Sequence, residues 1–368
     1  MSLHAISRRC FLKGMGAVTG LLASGTLVSQ IFRPARAAAT PATSVAIAQA
    51  ADYEPALILR QVQTLLDGMG NFSQIVRPGD VVAIKVNLVA GSYYPAYPGV
   101  SQVESYMTHP EVVRALIQCL RDAGAGKVLV TEAAWDPRSF SMFGYEKITK
   151  ELDAALLDLN SPAPYQEFAK MPVAGEPFCF DHFQLHPQLQ DVDVLVSVAK
   201  MKCHYNAGVS LSMKNLIGLT PMAHYQINPK DSHRTLLHLS RSDGDPNEVN
   251  TRLPRVILDV NRVRPIQLAL IDGVKASEGG EIPRGSFKPV EPGVLIAGGN
   301  PVATDAVATA VMGFDPLAPS FTAPFVRTEN YLTMASELGL GTNRLNEIQV
   351  AGVPIAQVRC SFNPSTTQ

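Results

Sequence analysis

Residues 81–89 read VVAIKVNLV. The apolar run breaks only at Lys85 and Asn87 and does not alternate with polar residues. Such a run predicts a strand buried on both faces, as in a parallel sheet covered by helices. A turn signal, RPGD (77–80), precedes it. HPEVVRALIQCLRDAGA (109–125) follows and predicts a helix. Pro110 suits the first turn, Glu111 complements the N-terminal dipole, and Gly124 ends the helix. KVLVTEA (127–133) is strand-like again, and upstream SVAIAQA (44–50) and PALILRQVQTLLDGM (55–69) repeat strand then helix. This alternation predicts a parallel sheet with right-handed crossovers.

Beyond residue 133 the expected elements are a helix over 146–159, a buried strand over 192–200 and a helix over 245–265 interrupted at Pro254. Further on come a strand over 266–273 ending in a turn, a strand over 293–301, and helices over 302–314 and 330–341. The expected fold class is α/β: a mostly parallel open sheet with flanking helices. Two irregular segments, 134–190 and about 201–250, would cover the carboxyl edge, where open α/β sheets bind ligands.

The N-terminus reads as a processing signal. SRRCFLK (7–13), a mildly apolar run containing Gly, Ser and Thr, and RPARAAA with small residues at Ala35 and Ala37 resemble a twin-arginine export signal. Residues 1–37 are therefore assigned to the signal and 38–368 to a single α/β domain. The expected location is periplasmic or otherwise extracytoplasmic, reached through the twin-arginine machinery, with no lasting membrane span. Removing 1–37 removes Arg8, Arg9, Lys13, Arg33 and Arg36 and no acid. The 31 basic residues of the full chain fall to 26 against 32 acids, a formal charge of −6. That balance argues against nucleic acid as a partner. Cys119, Cys179, Cys203 and Cys360 are widely spaced and form no iron–sulfur run. One or two disulfides are compatible with an oxidising compartment, but sequence assigns no pairing. The cofactor stays open, and a divalent metal is neither supported nor excluded.

Against this acidic background, AKMKCHYNAGVSLSMKN (199–215) stands out. No Asp or Glu occurs from Val196 to Lys230. If the strand continues through KMKCH, Lys200, Lys202 and His204 point one way and Met201 and Cys203 the other. Clustered ammonium groups attract anions and lower one another's pKa. Lys214 and Asn215 follow in SLSMKNLIG; Asn215 reads equally as a ligand contact or a helix cap. Lys85 lies inside an apolar strand and must pair or face a site, because a buried unpaired charge is costly. Asn87 lies on its side of the strand. IDGVKASEGGEIPRG (271–285) offers Asp272 and Glu278 as distant counter-charges, acid/base groups or metal ligands. His182 and His186 have helical metal spacing with Asp181 beside them, but Pro187 opposes a helix there. Phosphate-loop, zinc-protease, dinucleotide and nucleophile-elbow motifs are absent.

AIKVNL (83–88), THPEVVRAL (108–116), GAGKVLVTE (124–132), VDVLVSVAKMKCH (192–204), SLSMKNLIG (210–218), IDGVKASEGG (271–280) and TDAVATAVMGF (304–314) together resemble the domain-of-unknown-function family 362, over about 45–315. The resemblance implies that Lys85, Asn87, His109, Lys200, Lys202, His204, Lys214, Asn215, Asp272 and Glu278 fall on family motif positions. Many relatives carry ferredoxin-like cysteine segments; this chain has none, so no iron–sulfur role carries over.

The expected function is binding of a small carboxylate- or phosphate-bearing anion. Lys85, Asn87, His109, Lys200, Lys214 and Asn215 are the expected binding residues. His204, Lys202, Asp272 and Glu278 are the candidates for acid–base chemistry, with the acids facing the lysines. The alternatives are a periplasmic solute-binding or cofactor-handling protein without turnover, and a structural or interaction protein.

Overall fold

A computed structural model describes residues 44–366, except residue 90, residue 232, residues 239–247, residue 249 and the side chain of Ser92. All of these lie in the compact unit Ala35–Gln368. The segment read as an export signal lies outside the described residues.

The strands are β1 (Ser44–Gln49), β2 (Val81–Lys85), β3 (Lys127–Glu132), β4 (Ala155–Asp158), β5 (Ala169–Pro172), β6 (His182–Leu185), β7 (Val194–His204), β8 (Gly208–Ser210), β9 (Leu268–Glu278), β10 (Lys288–Val290), β11 (Val294–Gly298) and β12 (Gln349–Gly352). The main sheet runs β12-β1-β11-β9-β7-β2-β3-β4, with β10 on β9 and β8 on β7. β9, β7, β2, β3 and β4 form a continuous parallel block. β11 runs antiparallel between β9 and β1, so the sheet is mostly parallel. β5 and β6 form a separate antiparallel pair.

Successive strand residues enter different cores, as the two-residue period of a strand requires. Val82, Ile84, Val194, Val196 and Val198 pack with buried side chains of the helices Pro55–Met69 and Pro110–Asp122. Ala83, Leu195, Ala199, Met201 and Cys203 pack on the other face with the helices Arg252–Val263 and Pro301–Val311. Both faces being dry explains why the strands read as unbroken apolar runs.

Three sequence expectations need correction. The helix expected over 146–159 stops at Glu151. Asp153 turns to a φ of 51°, and ALLD becomes β4, paired in parallel with β3. Pro254 does not interrupt a helix; it sits in the first turn of Arg252–Val263, where a missing N–H costs nothing. β9 does not turn at Asp272–Gly273 but continues to Glu278, paired in part with β10. The four cysteines among the described residues, Cys119, Cys179, Cys203 and Cys360, are free thiols. No described helix is long and apolar enough to cross a membrane.

Candidate functional site

The parallel strands β2, β3, β7 and β9 end at Lys85, Glu132, His204 and Glu278. Beyond their carboxyl ends lies a cleft of about 210 Å³. Among its lining residues are Lys85, Asn87, Glu132, His204, Lys214 and Asn215. His233, Arg234, His238, Glu281, Arg284 and Trp135 also line it.

Lys85 is fully buried and Glu132 is 4% exposed. Lys85 Nζ lies 2.9 Å from Glu132 Oε2 and donates to Val86 O (2.5 Å) and Asn215 Oδ1 (3.1 Å). Burial lowers its pKa, opposed by Glu132. Glu132 Oε2 also accepts the Leu88 N–H at 3.1 Å. Asn215 ties this group to the sheet, donating to Lys85 O (3.0 Å) and Ser197 Oγ (3.1 Å). Asn215 is thus the hub joining β2, β7 and the short helix Ser212–Asn215.

β7 stays extended through KMKCH, and Met201 and Cys203 enter the opposite core. The lysines nevertheless do not form one wall. β7 pairs Lys200 with Asp272 but Lys202 with Ser277, so β9 carries three extra residues between those pairs. Such a bulge re-aims side chains on one face of a sheet. It encloses Lys200, whose Nζ donates to Asp272 Oδ2 (2.9 Å), Tyr53 Oη (2.8 Å) and Lys275 O (3.0 Å). The His109 backbone N–H reaches the same Asp272 carboxylate at 2.9 Å. The His109 ring stacks on Tyr53 at 3.7 Å and accepts the Glu111 N–H as a helix cap. Burial and then Lys200 push the His109 pKa down to about 3. Lys200, Asp272 and His109 therefore form a closed cluster apart from the cleft lining.

Lys202, 2% exposed, sits directly behind Asn87, donating to Asn87 Oδ1 (3.0 Å) and Tyr106 O (2.7 Å). Burial, then Lys214, push its pKa well down. Glu278 is turned away from the lysines, accepting the Asn363 N–H (2.7 Å) and Nδ2 (2.8 Å) of the C-terminal tail. The acids of the cleft are Glu132 and Glu281 instead. Glu281 also accepts the Tyr205 N–H at 3.1 Å.

Lys214 differs from the other lysines. Its helix is anchored by Asp305, which accepts Ser212 N–H (2.9 Å), Ser212 Oγ (2.5 Å) and Met213 N–H (3.0 Å). Burial pushes Asp305 up to about 7 against those donors. Lys214 Nζ itself has no hydrogen bond or ion pair among the described residues. Burial pushes its ammonium down to about 8; Glu281 opposes that, Arg234 and Lys85 reinforce it, and Glu132 opposes it. His204 and His238 are pushed well below their ordinary value by burial and then by Lys214, so both are neutral near pH 7. Their hydrogen bonds set opposite tautomers. His204 Nδ1 accepts the Asn206 N–H, leaving the proton on Nε2. His238 Nδ1 faces Arg234 O at 2.9 Å and must donate, leaving a lone pair on Nε2. Arg234, 5% exposed, donates Nε to Thr220 O and Nη2 to Ala133 O. Nη1 has no partner among the described residues.

His233, Arg234 and His238 were not anticipated, because no strand or helix period marks them. The available signal was HRTLLH (233–238), which puts three basic or imidazole groups inside a segment expected to cover the sheet edge. Glu132 and Glu281 were missed because their partners are distant in sequence. His182 and Asp181 bond to each other at the start of β6, and His186 caps the following turn, so they share no helical face. No group of three or more metal-ligating side chains converges among the described residues.

The chain is 28% identical over 301 residues to the thylakoid-associated protein of Synechocystis sp., covering 82% of this chain and 80% of that protein. Among solved structures it is similar to the lactate racemase apoprotein of Thermoanaerobacterium thermosaccharolyticum, with a TM-score of 0.35 and 12% identity. That likeness covers 67% of this chain and 54%, about half, of the racemase apoprotein. A Thermotoga maritima protein aligns with a TM-score of 0.34 and 11% identity, over 71% of this chain and 59% of its own. The profile of the family described as Domain of unknown function (DUF362) matches residues 82–310, from β2 to the helix Pro301–Val311. That match takes in the strand ends, the Asn215 hub and Lys214, and the chain belongs to this family.

Proposed function

We propose that the cleft binds a small anion bearing a carboxylate. The observation that carries this reading is Lys214: an ammonium lining the pocket with no hydrogen bond or ion pair among the described residues. Four cations line the cleft, Lys85, Lys214, Arg234 and Arg284, against Glu132 and Glu281, a positive excess of two. The unpartnered Nη1 of Arg234 adds a planar donor suited to a carboxylate. The volume is below the roughly 300–1,000 Å³ of sites for drug-sized ligands, which favours a compact metabolite.

The test is calorimetric titration with succinate and with inorganic phosphate. Wild type is expected to bind succinate, and Lys214→Met to bind it at least about tenfold more weakly, a charge-assisted contact of roughly 1.4 kcal/mol or more. Affinity should fall as pH rises through about 8, where Lys214 loses its proton. Binding that Lys214→Met leaves within twofold of wild type would overturn the reading. Stronger binding of phosphate than succinate would replace the carboxylate with a phosphate ligand.

The anion site is further proposed to work outside the cytoplasm. SRRCFLK and the small-residue segment around Ala35 and Ala37 support twin-arginine export, and the Synechocystis relative is described as thylakoid-associated. Cell fractionation of wild type and an Arg8→Lys/Arg9→Lys variant tests this: the variant should remain cytoplasmic and unprocessed. Export of both alike refutes it.

A further inference from the structure

We propose that Lys214 captures the carbonyl carbon of a 2-oxo carboxylate as a Schiff base, a step that rests on the anion-binding reading of the same cleft. The selection of Lys214 is geometric. Lys85 and Lys200 each donate to three protein acceptors, and Lys202 to two. All three N–H groups of Lys85 and of Lys200 are taken by protein acceptors, which holds them as ammoniums, and Lys202, like Lys200, does not line the cleft. Lys214 Nζ is held by nothing among the described residues and faces a cleft. Lys214 is half-buried, and a lysine partly withdrawn from water beside other cations is in the environment that makes an amine nucleophilic at neutral pH. Its ammonium, pushed down to about 8 chiefly by burial, keeps a usable neutral fraction. The charged and titratable groups acting on it are Glu281, Arg234, Lys85 and Glu132, with Lys202, His204 and His238 nearby.

The remaining groups supply what the condensation needs. Arg234 Nη1 holds the carboxylate. The neutral Nζ lone pair adds to the C2 carbonyl carbon, and the C=O pair moves onto oxygen. His204 Nε2–H is the hydrogen-bond donor for that oxygen as negative charge develops. His238 Nε2 accepts a proton from the attacking nitrogen and returns it to oxygen. The carbinolamine then expels that hydroxyl as water, taking one further proton from solvent water in the open cleft, and leaves the protonated imine. Amine, ketone and one solvent proton become iminium and water, with no change in oxidation state.

The experiment incubates the full-length protein with pyruvate and cyanoborohydride and maps adducts by tandem mass spectrometry. Wild type should acquire a 1-carboxyethyl group at Lys214 in at least about tenfold excess over exposed lysines such as Lys147. The initial rate should rise with pH through about 8, opposite to the succinate affinity. Lys214→Arg, which keeps the cation, should bind succinate within about threefold of wild type and give no adduct at that position. Succinate binding by wild type without preferential labelling of Lys214 overturns the Schiff-base inference and leaves anion binding intact. Wild type that neither binds succinate nor labels at Lys214 overturns both.

Discussion

Replacing Lys85 by Met tests whether the Lys85–Glu132 pair holds the strand ends together. Met keeps the length of the stem and removes the ammonium, its charge together with its three donated hydrogen bonds. Glu132, 4% exposed, keeps the Leu88 N–H but loses its cation, while Val86 O and Asn215 Oδ1 lose a donor. Removing one partner of a buried ion pair costs about 3–5 kcal/mol, because the other charge stays buried and uncompensated. Unfolding entropy of about 2.1 cal/mol/K per residue gives roughly 0.7 kcal/mol/K for a chain of this size. The expected fall in Tm is therefore roughly 4–7 °C, read by calorimetry. A double variant, Lys85→Met/Glu132→Gln, removes the stranded charge while keeping an acceptor for Leu88, and should regain at least half of the loss. A single variant that loses less than about 1 °C, or a double variant no more stable than the single, refutes the reasoning.

Glu281→Gln removes a negative charge from the cleft wall and should tighten succinate binding about fivefold at low salt, an advantage that shrinks as salt is added. Glu278→Gln, whose carboxylate holds the C-terminal tail, should leave succinate affinity within twofold while lowering Tm; equal effects of the two on affinity would sink this assignment of the acids. Gly218→Ala would place a Cβ 2.2 Å from Glu132 Oε1 and 2.5 Å from Lys85 Nζ. The pair must then move, at about 1–3 kcal/mol, so calorimetry should show a Tm lower by roughly 1–4 °C together with weaker succinate binding.

The architecture was legible in the chain because its signals are local. Val82, Ile84, Val194 and Val196 on one face and Ala83, Leu195 and Ala199 on the other had to be apolar, and the helix Pro110–Asp122 carries its own start and stop. The alternation of Lys200, Met201, Lys202, Cys203 and His204 also follows from strand geometry alone. Where local signals conflicted, the reading failed: ALLD has the apolar residues of a helix, yet pairing with β3 makes it a strand.

Which cations share a cleft could not be read locally. Lys200 and Lys202 are equivalent in sequence, two residues apart on one face. They part because β9 inserts three extra residues opposite the gap between them, giving Lys200 an enclosing acid in Asp272 and leaving Lys202 behind Asn87. Lys85 meets Glu132 from the neighbouring strand, Lys214 has no ion pair among the described residues, and two of the cleft's imidazoles come from HRTLLH. Charge pairing depends on distances of a few ångströms between residues far apart in the chain, and burial then sets what each pairing is worth. Residue type and spacing mark the strand ends; only packing separates Lys85, Lys200 and Lys202, held by protein acceptors, from Lys214, which has no such partner among the described residues.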